Sequence, residues 1–315
     1  MFEIKRYTPS EKNIWNGFLK TAKNATMLFE REYMDYHSDR FHDHSLMVYR
    51  KGNLFALVPA NEKDGILYSH QGLTYGGLII SKKAGTVDVL SIFNVLNEYL
   101  KSKGIVKVVY KPTPYIYHEV PAQEDLYALF RLTDAKVIGR QISSTIYQDS
   151  KIKFIESRKS GIRKAKNNGV TVSSSEDFDA FWEILGTNLQ NKYEVKPVHA
   201  IEEIKLLVSR FPNRIRLYTA MSSDGRMLGG TVIYVINSRV IHTQYISASV
   251  EGKELGALDL LFDYLINEEF KDYPIFDFGQ STEQRGEILN ENLIFQKEGF
   301  GGRGVLYDIY EYNIR

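Results

Sequence analysis

The chain has 315 residues and 36.3 kDa, about twice a typical domain, and its 43% hydrophobic residues supply a core without covalent staples. Forty Lys+Arg against 39 Asp+Glu leave a formal charge of +1, which argues against a surface built wholly to hold DNA, RNA or anionic membrane; the absence of Cys excludes disulfides, thiolate nucleophiles and Cys-ligated metal. The charged opening MFEIKRYTPSEK and the lack of any apolar run near the ~18 residues of a membrane span make a soluble, cytoplasmic protein without a membrane span the expectation.

In chain order, a first helix carries Ile14, Trp15, Phe18 and Leu19 on its apolar face. Strands over Leu46 to Tyr49 and Leu54 to Pro59 follow, joined by the turn Arg50-Lys51-Gly52-Asn53. A long helix from about Val87 to Lys103 stops at Gly104, the place of a C-terminal glycine cap. The strand Ile105 to Tyr110, a short helix Leu126 to Leu132 and a closing strand Val137 to Tyr147 complete this half.

The second half repeats that order. Phe181, Trp182 and Leu185 mark a helix, and Ser222-Ser223-Asp224-Gly225 turns between strands over Leu217 to Met221 and Leu228 to Val235. A third strand, Val240 to Ser247, leads into a helix from about Leu255 to Phe270. The strand Ile275 to Phe278, a helix near Glu287 to Phe295 and a last strand Val305 to Tyr312 end the chain. Landmarks of the two halves are offset by a nearly constant amount, 167 residues for Trp15 to Trp182 and for Lys103 to Phe270, and 172 for Gly52 to Asp224. We therefore expect an α+β protein of two tandem domains, 1–148 and 149–315, each a mixed, mainly antiparallel sheet flanked by helices. No Gly-x-Gly-x-x-Gly opens a helix after a strand, so a dinucleotide site is not indicated, and no Gly-x-Ser-x-Gly elbow points to a serine hydrolase.

From Lys151 to Lys166 seven basic residues accompany one acid, Glu156. Lys159, Arg163 and Lys166 stand at helical i, i+4 and i+7 spacing and could grip a phosphorylated ligand; the alternative is a solvated helix face. Among the carboxylates, Asp277 ends the apolar strand Ile275-Phe276-Asp277-Phe278 and alternates against its two Phe neighbours, as a base or as a cap bonded to Ser281 or Thr282. Tyr245 and Ser247 share one face of the third strand. His37, His42 and His44 lack a metal-ligand pattern and read as a surface cluster, so no metal is expected; His70 precedes Gln71-Gly72 at a strand end.

The segment Arg158-Lys-Ser-Gly-Ile-Arg163-Lys164-Ala165-Lys166-Asn-Asn-Gly169-Val170 resembles the "R…IRKA.K.GV" signature of Fem-type transferases, duplicated members of the GNAT superfamily that build peptidoglycan cross-bridges, together with their acyltransferase relatives. Ser69-His70-Gln71-Gly72, Tyr75-Gly76-Gly77, Asp277-Phe278-Gly279 with Ser281-Thr282, and Phe295-Gln296-Lys297-Glu298-Gly299-Phe300-Gly301 extend the resemblance over nearly the whole chain. The charged helical-hairpin arm of some cross-bridge enzymes is missing.

This resemblance implies transfer of an acyl group to a primary amine of an aminosugar or peptide-like acceptor, with acetyl-CoA or another acyl-CoA as co-substrate. The acceptor would lie in the inter-domain cleft, and the donor in the second domain. Asp277 becomes the candidate base and Lys297, in a Gly-flanked turn after a helix, the charge stabiliser, with Tyr245 as acid or orienting group. Ser247, Lys253, Gly256 and Ala257, before the long helix, correspond to the carrier-binding loop of the GNAT fold. Lys159, Arg163, His70 and Tyr75 are the candidate acceptor contacts, Arg163 matching the Arg that meets a nucleotide-sugar diphosphate. An aminoacyl-tRNA-dependent cross-bridge transferase, with tRNA as partner, and a catalytically inactive ligand-binding scaffold are the alternatives.

Overall fold

A computed structural model describes residues 1–193 and 196–315 of the chain. They form two compact units, Met1–Ile142 with Thr282–Leu289 and Val305–Arg315, and Ser143–Ser281 with Asn290–Gly304.

The first unit runs β1 (Phe2–Arg6), α1 (Lys12–Leu19), α2 (Arg31–Met34), β2 (Leu46–Arg50), β3 (Asn53–Val58), β4 (Asn61–Lys63), β5 (Ile66–Tyr68), β6 (Ile79–Ile80), α3 (Thr86–Ser102), β7 (Lys107–Tyr110), α4 (Glu124–Leu132) and β8 (Lys136–Tyr147), the last passing to the second unit at Ser143. In α1 the buried stripe is Trp15, Phe18 and Leu19 at i, i+3 and i+4; Ile14, one position off that stripe, is 53% exposed instead of packed. The Trp15 indole donates to the Phe29 carbonyl at 2.8 Å, which satisfies its buried N–H. β2 and β3 are closed by Lys51-Gly52, both left-handed (φ 50° and 78°), the two-residue turn that matches strand twist. Gly104, at φ 77°, follows the end of α3 as expected.

One sheet of this unit has the order β1-β2-β3-β6, antiparallel throughout. Elsewhere in the unit β5 pairs parallel to β7 over three rungs, Ile66↔Lys107 to Tyr68↔Val109, and is antiparallel to β4. The unit's core gathers Leu46, Val48, Ile92, Phe93, Leu96 and Val108 between sheet and α3.

The second unit continues with α5 (Glu156–Asn167), β9 (Thr171–Ser175), α6 (Phe178–Tyr193), α7 (Ile201–Arg210), β10 (Ile215–Met221), β11 (Met227–Val235), β12 (Val240–Ala248), α8 (Val250–Leu255), α9 (Ala257–Tyr264) and β13 (Ile275–Gln280). β14 (Thr282–Glu283) and β15 (Ile288–Leu289) pair in the first unit, α10 (Glu291–Gly299) returns to the second, and β16 (Arg303–Asn313) is in the first from Val305. β9, Thr171–Ser175, carries too weak a periodicity to be read from sequence, whereas α7, with Ile204 and Leu207 buried at i and i+3, has an amphipathic stripe that sequence reasoning missed.

The helix expected over Glu287 to Phe295 starts only at Glu291. Ile288 and Leu289 are committed to a strand pair with Thr282 and Glu283, and the Asn290 side chain caps α10 by accepting from the Leu293 amide at 3.2 Å. The helix expected from Leu255 to Phe270 is likewise redrawn. It begins at Val250, capped by Ser249, which accepts from the Gly252 amide; it breaks at Gly256 and passes into a wide π turn over Leu265–Glu269.

In the second unit the order is β8-β13-β12-β11-β10-β9, with β12 parallel to β13 and the other pairs antiparallel. Ile241, Phe276, Phe278, Leu261, Phe262 and Phe300 form its main core. α5 packs closely on the α8–α9 junction: a Cβ on Gly256 would stand 2.5 Å from the Gly161 carbonyl oxygen, and Gly256 is left-handed at φ 75°. Both conditions require glycine.

Gly256→Ala is expected to cost roughly 2–4 kcal/mol, the left-handed penalty plus overpacking, in denaturant unfolding. Gly186→Ala, in α6 with open space at its Cβ, should instead stabilise by about 0.5–1 kcal/mol. Equal effects of the two changes would contradict this packing.

Candidate functional site

The chemistry of the second unit collects where β12 and β13 part. Their parallel register covers only Val240↔Ile275, Ile241↔Phe276 and His242↔Asp277, after which β12 runs on to Ala248 alone against β11. Opposite β11 the register jumps from Ile233↔Thr243 to Val232↔Tyr245, so β12 carries a bulge at Gln244. The bulge resets alternation. Ile241 and Ile246 both lie on the aromatic core face, and His242, Tyr245 and Ser247 therefore stand on the other face, with Asp277 between the core residues Phe276 and Phe278 of β13.

Asp277 has no exposed surface. Its Oδ1 accepts from the Ser143 hydroxyl at 2.5 Å and the Thr145 hydroxyl at 2.8 Å, and its Oδ2 is 2.7 Å from His242 Nδ1. The expected cap through Ser281 or Thr282 is replaced by these β8 and β12 donors, because Asp277 points across the sheet rather than along the following turn.

Lys297 lies within the last turn of α10, not in a turn after it, and is 3% exposed. Its Nζ donates to the carbonyls of Gly279, at 2.9 Å, and Gln280, at 2.7 Å. Burial pulls its pKa down to about 8, and the nearby Asp277 charge opposes that shift. Gly279 is left-handed at φ 73°, and a Cβ there would meet the His242 ring at 3.0 Å. One glycine thus holds Lys297 through its carbonyl and packs His242 against its Cα.

Tyr245 and Ser247 have local partners. The Tyr245 hydroxyl lies 2.5 Å from His199 Nδ1, and its ring meets Trp182 edge-on at 5.1 Å. Ser247 accepts from the Asn188 amide at 2.8 Å, and Lys253 Nζ donates to the same amide's oxygen at 2.9 Å. Asn188 on α6 thereby ties β12 to α8. The stretch from Ser247 to Ala257, expected as an open anion-binding loop, is largely helical, and Glu251 in it is paired with Arg226. Gly256 and Ala257 are packing residues there, the first against Gly161 and the second fully buried.

On α5, Arg158 pairs with Asp259 at 2.6 Å, Arg163 with Glu156 at 2.5 Å, and Lys166 with Asp263 at 3.8 Å. Lys159 and Arg163 border a cavity of about 500 Å³ whose wall also includes Lys151 and Lys153, with Ile152, Phe154 and Ile162 as its apolar part. Of the three residues at helical spacing, Lys159 and Arg163 line this concave surface and Lys166 does not; Asp263, its ion-pair partner, lies in the same wall.

His70 and Tyr75 belong to the first unit. After its three rungs with β7 the chain leaves β5 in a left-handed turn at His70 (φ 65°), whose ring stacks on His37 at 5.2 Å. His70 Nδ1 is buried without a hydrogen-bond partner, and burial, then the charges of His37, Lys111 and Arg31, hold its pKa well below the usual imidazole value. Tyr75 is buried and stacks on Tyr117 at 4.8 Å. Of the expected surface cluster only His42 is exposed; His37 is 1% and His44 3% exposed, the latter bonded to Glu62 at 2.7 Å. Among the described residues no set of three or more His, Asp or Glu could hold a metal ion, and no helix is long and apolar enough to cross a membrane.

Sequence reasoning missed His242, Ser143 and Thr145. The signal was present in the strand patterns VIHTQYIS and QISSTIY, where polar residues interrupt apolar runs; buried polar groups need partners, and these partner Asp277.

The Lys297 shift makes stability depend on pH. Between about 8 and 10.5 the unfolded chain keeps this lysine's proton while the folded chain has released it, so stability rises with pH across that window. From pH 8 to 10.5 the wild type should gain on the order of 3 kcal/mol more than Lys297→Met does, measured by urea unfolding across the range. Parallel curves would show that the amine is not buried as described.

No family model matches the sequence, and no curated protein matches it. Solved structures do. "Crystal structure of FemX" aligns at a TM-score of 0.69 with 13% identity, covering 99% of this chain and 97% of that one. L-PGS from Bacillus licheniformis aligns at 0.61 with 13% identity, covering 98% and 92%. A tandem GNAT protein from the clavulanic acid biosynthesis pathway aligns at 0.51 with 9% identity, covering 100% and 99%. Over its whole length, then, this chain has the Fem-type duplicated GNAT fold.

Proposed function

We propose that the protein is an N-acyltransferase that moves an acyl or aminoacyl group from an activated carrier to a primary amine of an aminosugar or peptide-like acceptor. The observation that carries this reading is the parallel pair β12/β13, which separates after three rungs beside a bulge and has Asp277, His242 and Lys297 at the point of separation. Past His242 the two strands diverge, and the amide or carbonyl groups of an acyl carrier would pair there along β12 as an added strand does. The similarity in fold to FemX and L-PGS supports the same class of chemistry.

Amine attack on the carrier's carbonyl forms a tetrahedral oxyanion, and a protonated Lys297 has a third N–H beyond the two given to Gly279 and Gln280. With a pKa near 8 it holds a proton in a large share of molecules at neutral pH. Lys159 and Arg163, with Lys151 and Lys153, form the surface for a phosphorylated part of donor or acceptor.

Acyl-CoA is the first donor to test. Aminoacyl-tRNA is the second, favoured by a specific observation: the segment from Ser249 to Leu255, which would be the carrier's pyrophosphate loop, is a capped helix bearing the Arg226–Glu251 pair, whereas the basic residues gather on α5.

A donor at ~100 times its dissociation constant should stabilise the folded protein by about 2.7 kcal/mol, visible as a rise in Tm. Acetyl-CoA and aminoacyl-tRNA are compared side by side, with amide formation on an amine panel as second readout. Absence of both stabilisation and product with every donor overturns the transferase reading in favour of an inactive scaffold. Replacing Lys159 and Arg163 together by Ala should weaken binding of the phosphorylated ligand at least tenfold while leaving Tm without ligand nearly unchanged, since Arg163 is largely exposed.

A further inference from the structure

We infer that His242 is the proton acceptor of this transfer and that Asp277 is its positioning residue. The inference rests on the transferase reading above and adds to it the group that makes the amine nucleophilic.

Proton bookkeeping around Asp277 leads there. Its Oδ1 is occupied by two hydroxyl donors, Ser143 and Thr145, and its Oδ2 faces His242 Nδ1 at 2.7 Å. A carboxylate that only accepts needs a donor at that third contact, so Nδ1 carries the proton. In the neutral imidazole this leaves Nε2 as the basic nitrogen. Asp277 itself has no exposed surface, so it cannot meet an acceptor, while 13% of the His242 side chain remains exposed. His242 is also the last residue of β12 paired with β13, so it stands where the strands diverge. On its other side the ring packs on Gly279, whose carbonyl holds Lys297. Base and oxyanion donor are thus fixed by the same residue.

The reaction balances without a further reagent. An ammonium loses two protons on becoming an amide N–H. One goes to His242 Nε2 and from there to water, freeing the lone pair that forms the C–N bond. The other leaves with the carrier as its C–S or C–O bond breaks, giving a thiol or a hydroxyl.

His242→Asn is the informative variant, because its amide can still donate to Asp277 while the basic nitrogen is gone. With whichever donor proves active, kcat should fall roughly 100-fold or more, KM should change little, and the acid limb of the kcat/KM pH profile should disappear. Asp277→Asn should lower kcat and alter the same limb. An unchanged kcat and profile in His242→Asn overturns the proposal. Ring ¹⁵N spectroscopy of the substrate-free wild type, assigned with His242→Asn, tests the dyad independently of any donor. The Nδ1-protonated tautomer is expected, shifting toward the Nε2-protonated one in Asp277→Asn; an Nε2-protonated wild type overturns the proposal. If no donor is turned over yet the tautomer is as expected, the transferase reading fails and the proton-accepting dyad stands.

Discussion

A carboxylate buried in the middle of a sheet sets the terms for the second unit. An isolated ion there would carry a desolvation penalty of several kcal/mol, so Asp277 can stay charged only if every lone pair is answered. Ser143 and Thr145 from β8 and His242 from β12 answer it on one side, and the charge of Lys297 from α10 lies close by. These contacts hold four elements in one register. Removing any single partner leaves a buried charge partly uncompensated, which is why such a cluster is demanding to keep.

The duplicated order gives each unit a parallel strand pair of three rungs, β5/β7 and β12/β13, with different continuations. In the first unit the chain turns back at His70 in a left-handed conformation, and the segment through Gly77 packs tightly: a Cβ on Gly76 would stand 2.1 Å from the Ser69 carbonyl oxygen. In the second, a bulge lets β12 continue for six residues beyond His242. A left-handed turn closes the sheet edge at once, whereas a bulge keeps the strand running and re-aims its side chains. The same short parallel pair thus ends in a turn in one unit and in a continuing strand in the other.

Electrostatics divide the labour in the second unit. Asp277 and Lys297 are both buried, where charges act on one another in low dielectric and orientation decides the outcome. On α5, Lys159 and Arg163 are exposed and line a cavity with an apolar wall, where the proposed phosphorylated group would be attracted through solvent-screened fields. Near-neutral net charge makes this local asymmetry the protein's main electrostatic feature.

Alternating periods, the Gly52 and Gly104 punctuation and the constant offset of landmarks were enough to read the duplicated α+β order, because these signals are local and each is set by a few neighbouring residues. The same holds for the basic stripe at Lys159 and Arg163. The break at Gly256, the burial of His37 and His44, and the placement of Lys297 inside a helix were not legible, since each depends on a partner outside its own element: Gly161, His70, Glu62 and Gly279 respectively. Asp277 could be picked out as a carboxylate in an apolar strand. That it is shared between His242 and two hydroxyls 132 and 134 residues away depended on strand pairing, in which register is fixed by the burial of one sheet face and cannot be read from either strand alone.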